Sequence, residues 1–273
     1  MKKYGLIILA VGSILLAGCT SQSKKADDRN TTKVEMKKGQ KGKGGAQEGA
    51  QKAADETHSN AACAKQQARI SMFNKKLREK LGDVLLPAAD GLTSGNNRLN
   101  VSYSGDNDEY TISYSVGKKA KPLNEDSATQ AAPYAEFTKK KYDTTEEAAR
   151  QIDHRTVTDF GGLPTVDLGH NIQGYIETGA GQRYLYWNEG NWSLVVHATV
   201  DQEQDPKQLA KQTVSLLEEY ALPLPRLYGQ VSFEAGSQSE QCNQVISWQD
   251  EKTVFKLSAR DFTTAVKMAA SVN

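Results

Sequence analysis

The chain has 273 residues, of which 38% are hydrophobic and 25% charged, with a mean hydropathy of -0.62 and a formal net charge of +1. That total hides an uneven distribution: the first 19 residues carry +2, residues 20–62 carry nine Lys or Arg against six Asp or Glu, and 63–273 stand at -4. The length allows one large domain or two small ones, and an acidic body excludes general nucleic-acid binding, which rests on neutralising phosphates.

Lys2 and Lys3 precede an apolar or small-residue run from Gly5 to Ala17. The run is too short for a transmembrane helix, which takes about 20 apolar residues, so it reads as an export signal. It closes on Leu16-Ala17-Gly18-Cys19, a tetrapeptide that resembles the lipobox of bacterial lipoproteins. In that family the cysteine sulfur is diacylglycerylated and the chain is cut just before it. The resemblance therefore implies a signal peptide over 1–19, Cys19 as the lipidated, palmitate-type first residue of the mature protein, and a place at the cell membrane on its extracytoplasmic face. Each buried methylene contributes about 0.8 kcal/mol, and two chains hold a protein on a bilayer where one does so only marginally. The alternatives are a secretory signal cut elsewhere and an uncleaved hydrophobic anchor.

From Thr20 to about Ala62 the residues are mostly Lys, Gly, Gln, Ala, Ser, Asp and Glu, with Val34 and Met36 the only sizeable apolar side chains. Such a segment cannot bury enough apolar surface to offset the entropy of ordering, so residues 20–62 read as a disordered basic tether. As a flexible coil it would reach roughly 35 to 40 Å, at about 5 to 6 Å times the root of its length. Residues 63–273 then form a single extracytoplasmic domain.

Order is expected from Cys63 onward. Ile70, Phe73, Leu77 and Leu81 recur at three-to-four-residue steps and predict an amphipathic helix over about 64–81, ended by Gly82. Leu99 to Tyr103 and Tyr110 to Tyr114 alternate with period two around a turn at Gly105 to Asp108, a hairpin. A polar connection runs from Gly117 to about Pro133. Thr144 and Glu147 form a capping box opening a short helix with Ala148, Ala149 and Ile152 on one side.

Strands follow at Ile172 to Glu177, Arg183 to Trp187 and Trp192 to Thr199. A two-residue turn at Glu189-Gly190 would set Trp187 against Trp192 and Leu185 against Leu194. Trp192, Leu194, Val196 and Ala198 then point to the core, and Tyr184, Tyr186, Val195 and His197 point the other way. Asp205 and Pro206 cap a helix carrying Leu209, Thr213, Leu216, Leu217 and Tyr220. Strands at Val231 to Glu234, Gln244 to Trp248 and Thr253 to Ala259, and a helix bearing Phe262, Ala265, Val266, Ala269 and Val272, complete the chain.

The order predicts an α+β fold, mainly an antiparallel sheet with helices packed on one face. Leu85-Leu86-Pro87 and Ala221-Leu222-Pro223 each follow a helix and precede strands, so two helix-strand-strand repeats are a second organisation the pattern allows. The body, with its Trp187-Asn188-Glu189-Gly190-Asn191-Trp192 turn, resembles uncharacterised surface lipoproteins of Gram-positive bacteria, and that resemblance implies no activity.

Signals for chemistry are sparse. Of four histidines, His58 lies in the tether, and His154, His170 and His197 stand at no metal-ligand spacing. Asp167 and His170 sit three apart beside a glycine, the one acid–imidazole pair that could serve a hydrolase, against a plain loop leading into a strand. No Gly-x-Ser-x-Gly elbow occurs. Gly179-Ala180-Gly181 reads as a tight turn, and Asp106 to Glu109 as a solvated hairpin tip in place of a Ca²⁺ loop. Neither a cofactor nor a metal is expected.

Cys63 and Cys242 remain once Cys19 is acylated, and outside the cytoplasm they could join or stay as separate thiols. Tyr184 and Tyr186, with Tyr103 and Tyr114 on the earlier hairpin, could line an open sheet face that contacts a ligand, or lie in the core under helices. The expected function is a non-catalytic binding or interaction module at the envelope. Its partners would be the membrane through the anchor and an envelope ligand or membrane protein, with the hydrolase as the alternative.

Overall fold

The computed structural model describes residues 69–92, 98–200, 205–236 and 240–273. The expected signal peptide with Cys19, the tether and Cys63 lie outside the described residues.

Helix α1 occupies 69–81 and buries Ile70, Phe73, Leu77 and Leu81, the residues its periodicity singled out. It stops at Gly82, whose φ of +84° is left-handed and whose N–H donates to Arg78 O at 2.9 Å. β1 (Arg98–Gly105) and β2 (Glu109–Gly117) then form the hairpin, with Leu99, Val101, Ile112 and Tyr114 in the core. Asp106 Oδ1 shapes its tip by accepting from the N–H groups of Asp108 and Glu109.

After α2 (Asp126–Thr129), β3 (Ala135–Lys141) pairs with β2 on one side and with a much later strand on the other. This interior strand carries Lys139-Lys140-Lys141, so its residues show no alternating apolar pattern beyond Ala135 and Phe137. The charges are accommodated locally. The Lys139 ammonium lies 5.8 Å from the Tyr110 ring centre, and Lys141 Nζ donates to Asp108 Oδ1 at 2.9 Å.

Helix α3 (Thr145–Ala149) starts where the Thr144 hydroxyl accepts from Glu147 N. β4 (Thr165–Gly169), β5 (Ile172–Gly179), β6 (Gln182–Glu189) and β7 (Trp192–Thr199) make an antiparallel meander. Its last turn is Gly190-Asn191, so Trp187 faces Leu194 and Leu185 faces Val196. That corrects the expected register by two residues. A slip of two preserves which side chains point inward.

Helix α4 (Pro206–Glu219) is capped by Asp205 with Pro206 in its first turn and carries the chain from β7 to β8 (Gly229–Glu234), its parallel neighbour. β9 (Gln244–Asp250), β10 (Thr253–Ala259) and α5 (Phe262–Ala270) follow. Among the described residues the strands form one ten-stranded sheet ordered β1-β2-β3-β10-β9-β8-β7-β6-β5-β4, antiparallel throughout except at β7–β8. The fold is α+β and mainly antiparallel, as the pattern predicted. Ile70 of α1, Val214 of α4 and Val266 of α5 share one core with Leu194, Phe233 and Leu257 on the sheet's first face. The expectation that all helices share that face needs correction: Ala148 of α3 and Ile152 pack against Val254, which alternation puts on the second face.

Candidate functional site

Register determines which side chains meet on the second face. Across β5, β6, β7 and β8, one row is Glu177, Tyr184, His197 and Glu234, and its neighbour is Tyr175, Tyr186, Val195 and Ser232. The β7–α4–β8 crossover makes these rows, since it sets β8 in parallel beside β7 and extends each row by one side chain.

The segment between α3 and β4 crosses above the second row. Asn188 Nδ2 donates to Arg155 O at 2.7 Å, and Arg155 N donates to Ser193 Oγ at 3.2 Å, which pins the segment to β6 and β7. Thr156 then opens a 3-10 turn over Val157–Phe160, with Asp159 Oδ2 accepting from Thr156 N at 2.7 Å. The turn drops Phe160 onto the sheet. Only 1% exposed, its ring sits 5.2 Å from Tyr175 and 5.1 Å from Tyr186, centre to centre.

Stacking continues from there. Tyr186 lies 6.0 Å from Tyr184, and Tyr184 lies 4.6 Å from His197. The Arg155 guanidinium stands 4.9 Å from the Tyr186 ring centre and 3.8 Å from Glu177 Oε2. These rings therefore spend their faces largely on one another. Beside them opens a groove of about 450 Å³, lined by Arg155, Glu177, Tyr184, Val195, Gln230 and Ser232 among others.

The groove offers hydrogen bonds of both senses: a guanidinium fork, amide and hydroxyl donors, and carboxylate acceptors. Burial above all, with the Glu177 carboxylate as a lesser cause and Arg155 opposing, pushes the Tyr186 phenol up to about 12, so it stays a neutral O–H. The two ring nitrogens of His197 meet Glu234 Oε2 and Gln182 Oε1, each at 2.5 Å. With an amide on one side and a carboxylate on the other, the imidazole has no nucleophile in hand, as general-base chemistry would require.

The expected ligand-facing aromatics divide. Tyr184 borders the groove and Tyr186 underlies it, but Tyr114 is fully buried on the first face and Tyr103 packs against the same core. The shared open face of four tyrosines is thereby corrected: each hairpin alternates as predicted, but the two tyrosine pairs point to opposite sides of the sheet. Asp167 and His170 do not assemble either. Asp167 Oδ1 accepts from Gly169 N at 2.9 Å, whereas His170, in a turn with φ +52°, has Nδ1 3.7 Å from Glu218 Oε1 on α4.

Among the described residues no three His, Cys, Asp or Glu are grouped to hold a metal ion. Cys242 Sγ donates to Pro133 O at 3.5 Å, and burial first, then Glu136, pushes the thiol up, which keeps it unreactive. Its expected partner Cys63 lies outside the described residues.

Arg155, Phe160, Glu177, Gln230 and Ser232 were missed by sequence reasoning. Glu177 and Ser232 share strand parity with the tyrosine rows, a signal that becomes usable once the parallel β7–β8 pairing is known. Arg155 and Phe160 come from a segment with no period. Comparison with protein families, with characterised proteins and with solved structures finds no match to this chain.

Proposed function

We propose that this is a membrane-anchored extracytoplasmic lipoprotein whose folded unit is a non-catalytic binding module for a hydroxyl-rich glycan of the cell envelope. The anchor rests on Leu16-Ala17-Gly18-Cys19. The binding reading is carried by one observation, the groove beside Tyr184, whose lining mixes the donors and acceptors of Arg155, Glu177, Gln230 and Ser232 with Val195 and the stacked tyrosines. Small apolar ligands are disfavoured there because the ring faces are already taken. The helices of the described residues support no span of their own: none is long and apolar enough to cross a membrane.

The test is co-sedimentation of the chain from Thr20 onward with insoluble envelope glycan. Binding that Arg155→Ala with Tyr184→Ala abolishes supports the reading, and equal sedimentation of the double variant refutes it. A duplication origin belongs to the same proposal. α1-β1-β2 and α4-β8-β9 each place a helix before an antiparallel strand pair, and the strands that follow them, β3 after the short α2 and β10 directly, meet antiparallel.

A further inference from the structure

Helix α1 is strongly net positive in an otherwise net negative folded unit. α1 carries Arg69, Lys75, Lys76, Arg78 and Lys80 against Glu79, a net +4 in thirteen residues, whereas residues 82–273 hold 17 Lys or Arg against 26 Asp or Glu, a net -9. Two of the five cations are engaged: Arg69 donates to Leu99 O and Lys121 O, and Arg78 donates to Asn273 O. Lys75, Lys76 and Lys80 are exposed and form no ion pair among the described residues.

Helical spacing puts Lys75 and Lys76 beside Met72, which is 39% exposed, and opposite the stripe of Ile70, Phe73, Leu77 and Leu81 that enters the core; Glu79 is the one acid on that side, and Lys80 flanks the stripe two turns on from Phe73. The exposed side of α1 thus presents Lys75 and Lys76 beside a thioether, with Lys80 at its edge and Glu79 as its single acid, and no ion pair from the rest of the described residues reaches these lysines. In sequence six residues separate α1 from the 20–62 segment, itself at +3.

We propose that α1 docks this face on the anionic phospholipid surface of the membrane, giving the folded unit a second, electrostatic contact beyond the anchor. The inference rests on the anchored reading for its setting and on charge complementarity for its substance. A Lys near an anionic surface contributes about 1 kcal/mol, or roughly fivefold in partition, within a Debye length of about 8 Å at physiological salt. An orientation follows. α1 packs on the first face of the sheet and the Tyr184 groove opens on the second, so docking through α1 turns the groove away from the bilayer.

The experiment is vesicle co-sedimentation of the chain from Thr20 onward, which keeps the tether and every described residue but has no acyl group. Phosphatidylcholine vesicles are compared with and without phosphatidylglycerol. Three proteins are used: wild type, Lys75→Gln/Lys76→Gln/Lys80→Gln, and a tether variant with Lys37, Lys38, Lys41 and Lys43 changed to Gln. Binding only to the anionic vesicles, reversed by high salt and weakened by at least about tenfold in the α1 variant, is expected. An α1 variant that binds as wild type does, binding lost only in the tether variant, equal binding to both vesicles, or no binding at all would overturn the proposal. The lysines are exposed, so unchanged thermal unfolding of the α1 variant is expected and separates docking from folding. Failure here leaves the acyl anchor standing, because that is read separately from Cys19→Ser in cells.

Discussion

Phe160→Ala is the most informative single change in the folded unit. The ring is 1% exposed and lies between Tyr175 and Tyr186, and, with the hydrogen bonds of the Arg155 backbone to Asn188 and Ser193, it holds the 150–160 segment against the sheet. Truncating a buried Phe to Ala costs about 3 to 5 kcal/mol, and the two lost ring pairs, at about 0.5 to 1.5 kcal/mol each beyond area, place this site well inside that range. Collapse of the exposed neighbour Val157 into the space offsets part, so about 3 to 4 kcal/mol is expected. For a unit of about 200 residues that lowers Tm by roughly 6 to 16 °C, at about 2 to 4 °C per kcal/mol. Urea unfolding gives the same loss as a shift of midpoint at constant slope. Phe160→Leu, which keeps most of the volume, should recover about half. A loss below about 1 kcal/mol for Phe160→Ala would refute the clamp, since exposed positions lose that little.

Further outcomes follow from strain, packing and titration. Gly105→Ala should cost about 2 kcal/mol or more, because φ is +97° and the new Cβ would stand 2.0 Å from Glu109 O, and chemical unfolding measures it. Gly229→Ala should cost about 1 to 3 kcal/mol and quench or shift Trp fluorescence, since its Cβ would meet the Trp192 ring at 2.5 Å. Asp90 is 7% exposed, and burial raises its carboxyl above the ordinary range against the opposing hydrogen bond from Leu92 N. The folded state then holds the Asp90 proton to higher pH than the unfolded chain does, so stability falls as pH rises from the unfolded value of about 4 through the folded one, and levels above it. Asp90→Asn should remove that component and be the more stable protein at neutral pH. Asp90→Asn tracking wild type across this window in a urea series at stepped pH would contradict the assignment.

How much of this was legible in the residues depended on whether a signal was local. α1 and the hairpins are written in spacing that burial enforces, and Ile70, Phe73, Leu77 and Leu81 are all in the core. β3 was hidden because its three lysines sit in an interior strand, where Tyr110, Glu109 and Asp108 of β2 and its tip receive Lys139, Lys140 and Lys141 in turn. β4 was hidden for a different reason: it is a short edge strand whose register shifts between Asp167 and Gly169, so it reads as a loop. The tyrosines show the deeper limit. Alternation tells which residues of one strand share a side, but not whether Tyr114 and Tyr184, separated by several strands, share the same side of the sheet. The groove itself depends on a parallel crossover and on an aperiodic segment bearing Arg155 and Phe160, and neither leaves a local pattern.

The anchor is tested most directly by the membrane fraction of cells expressing wild type or Cys19→Ser, washed at about 1 M salt, where a Debye length near 3 Å removes electrostatic binding. Wild type should stay with the membranes and incorporate labelled palmitate, while Cys19→Ser should appear in the soluble fraction without label. Cys19→Ser retained in the washed membranes as fully as wild type would contradict lipid anchoring at that sulfur.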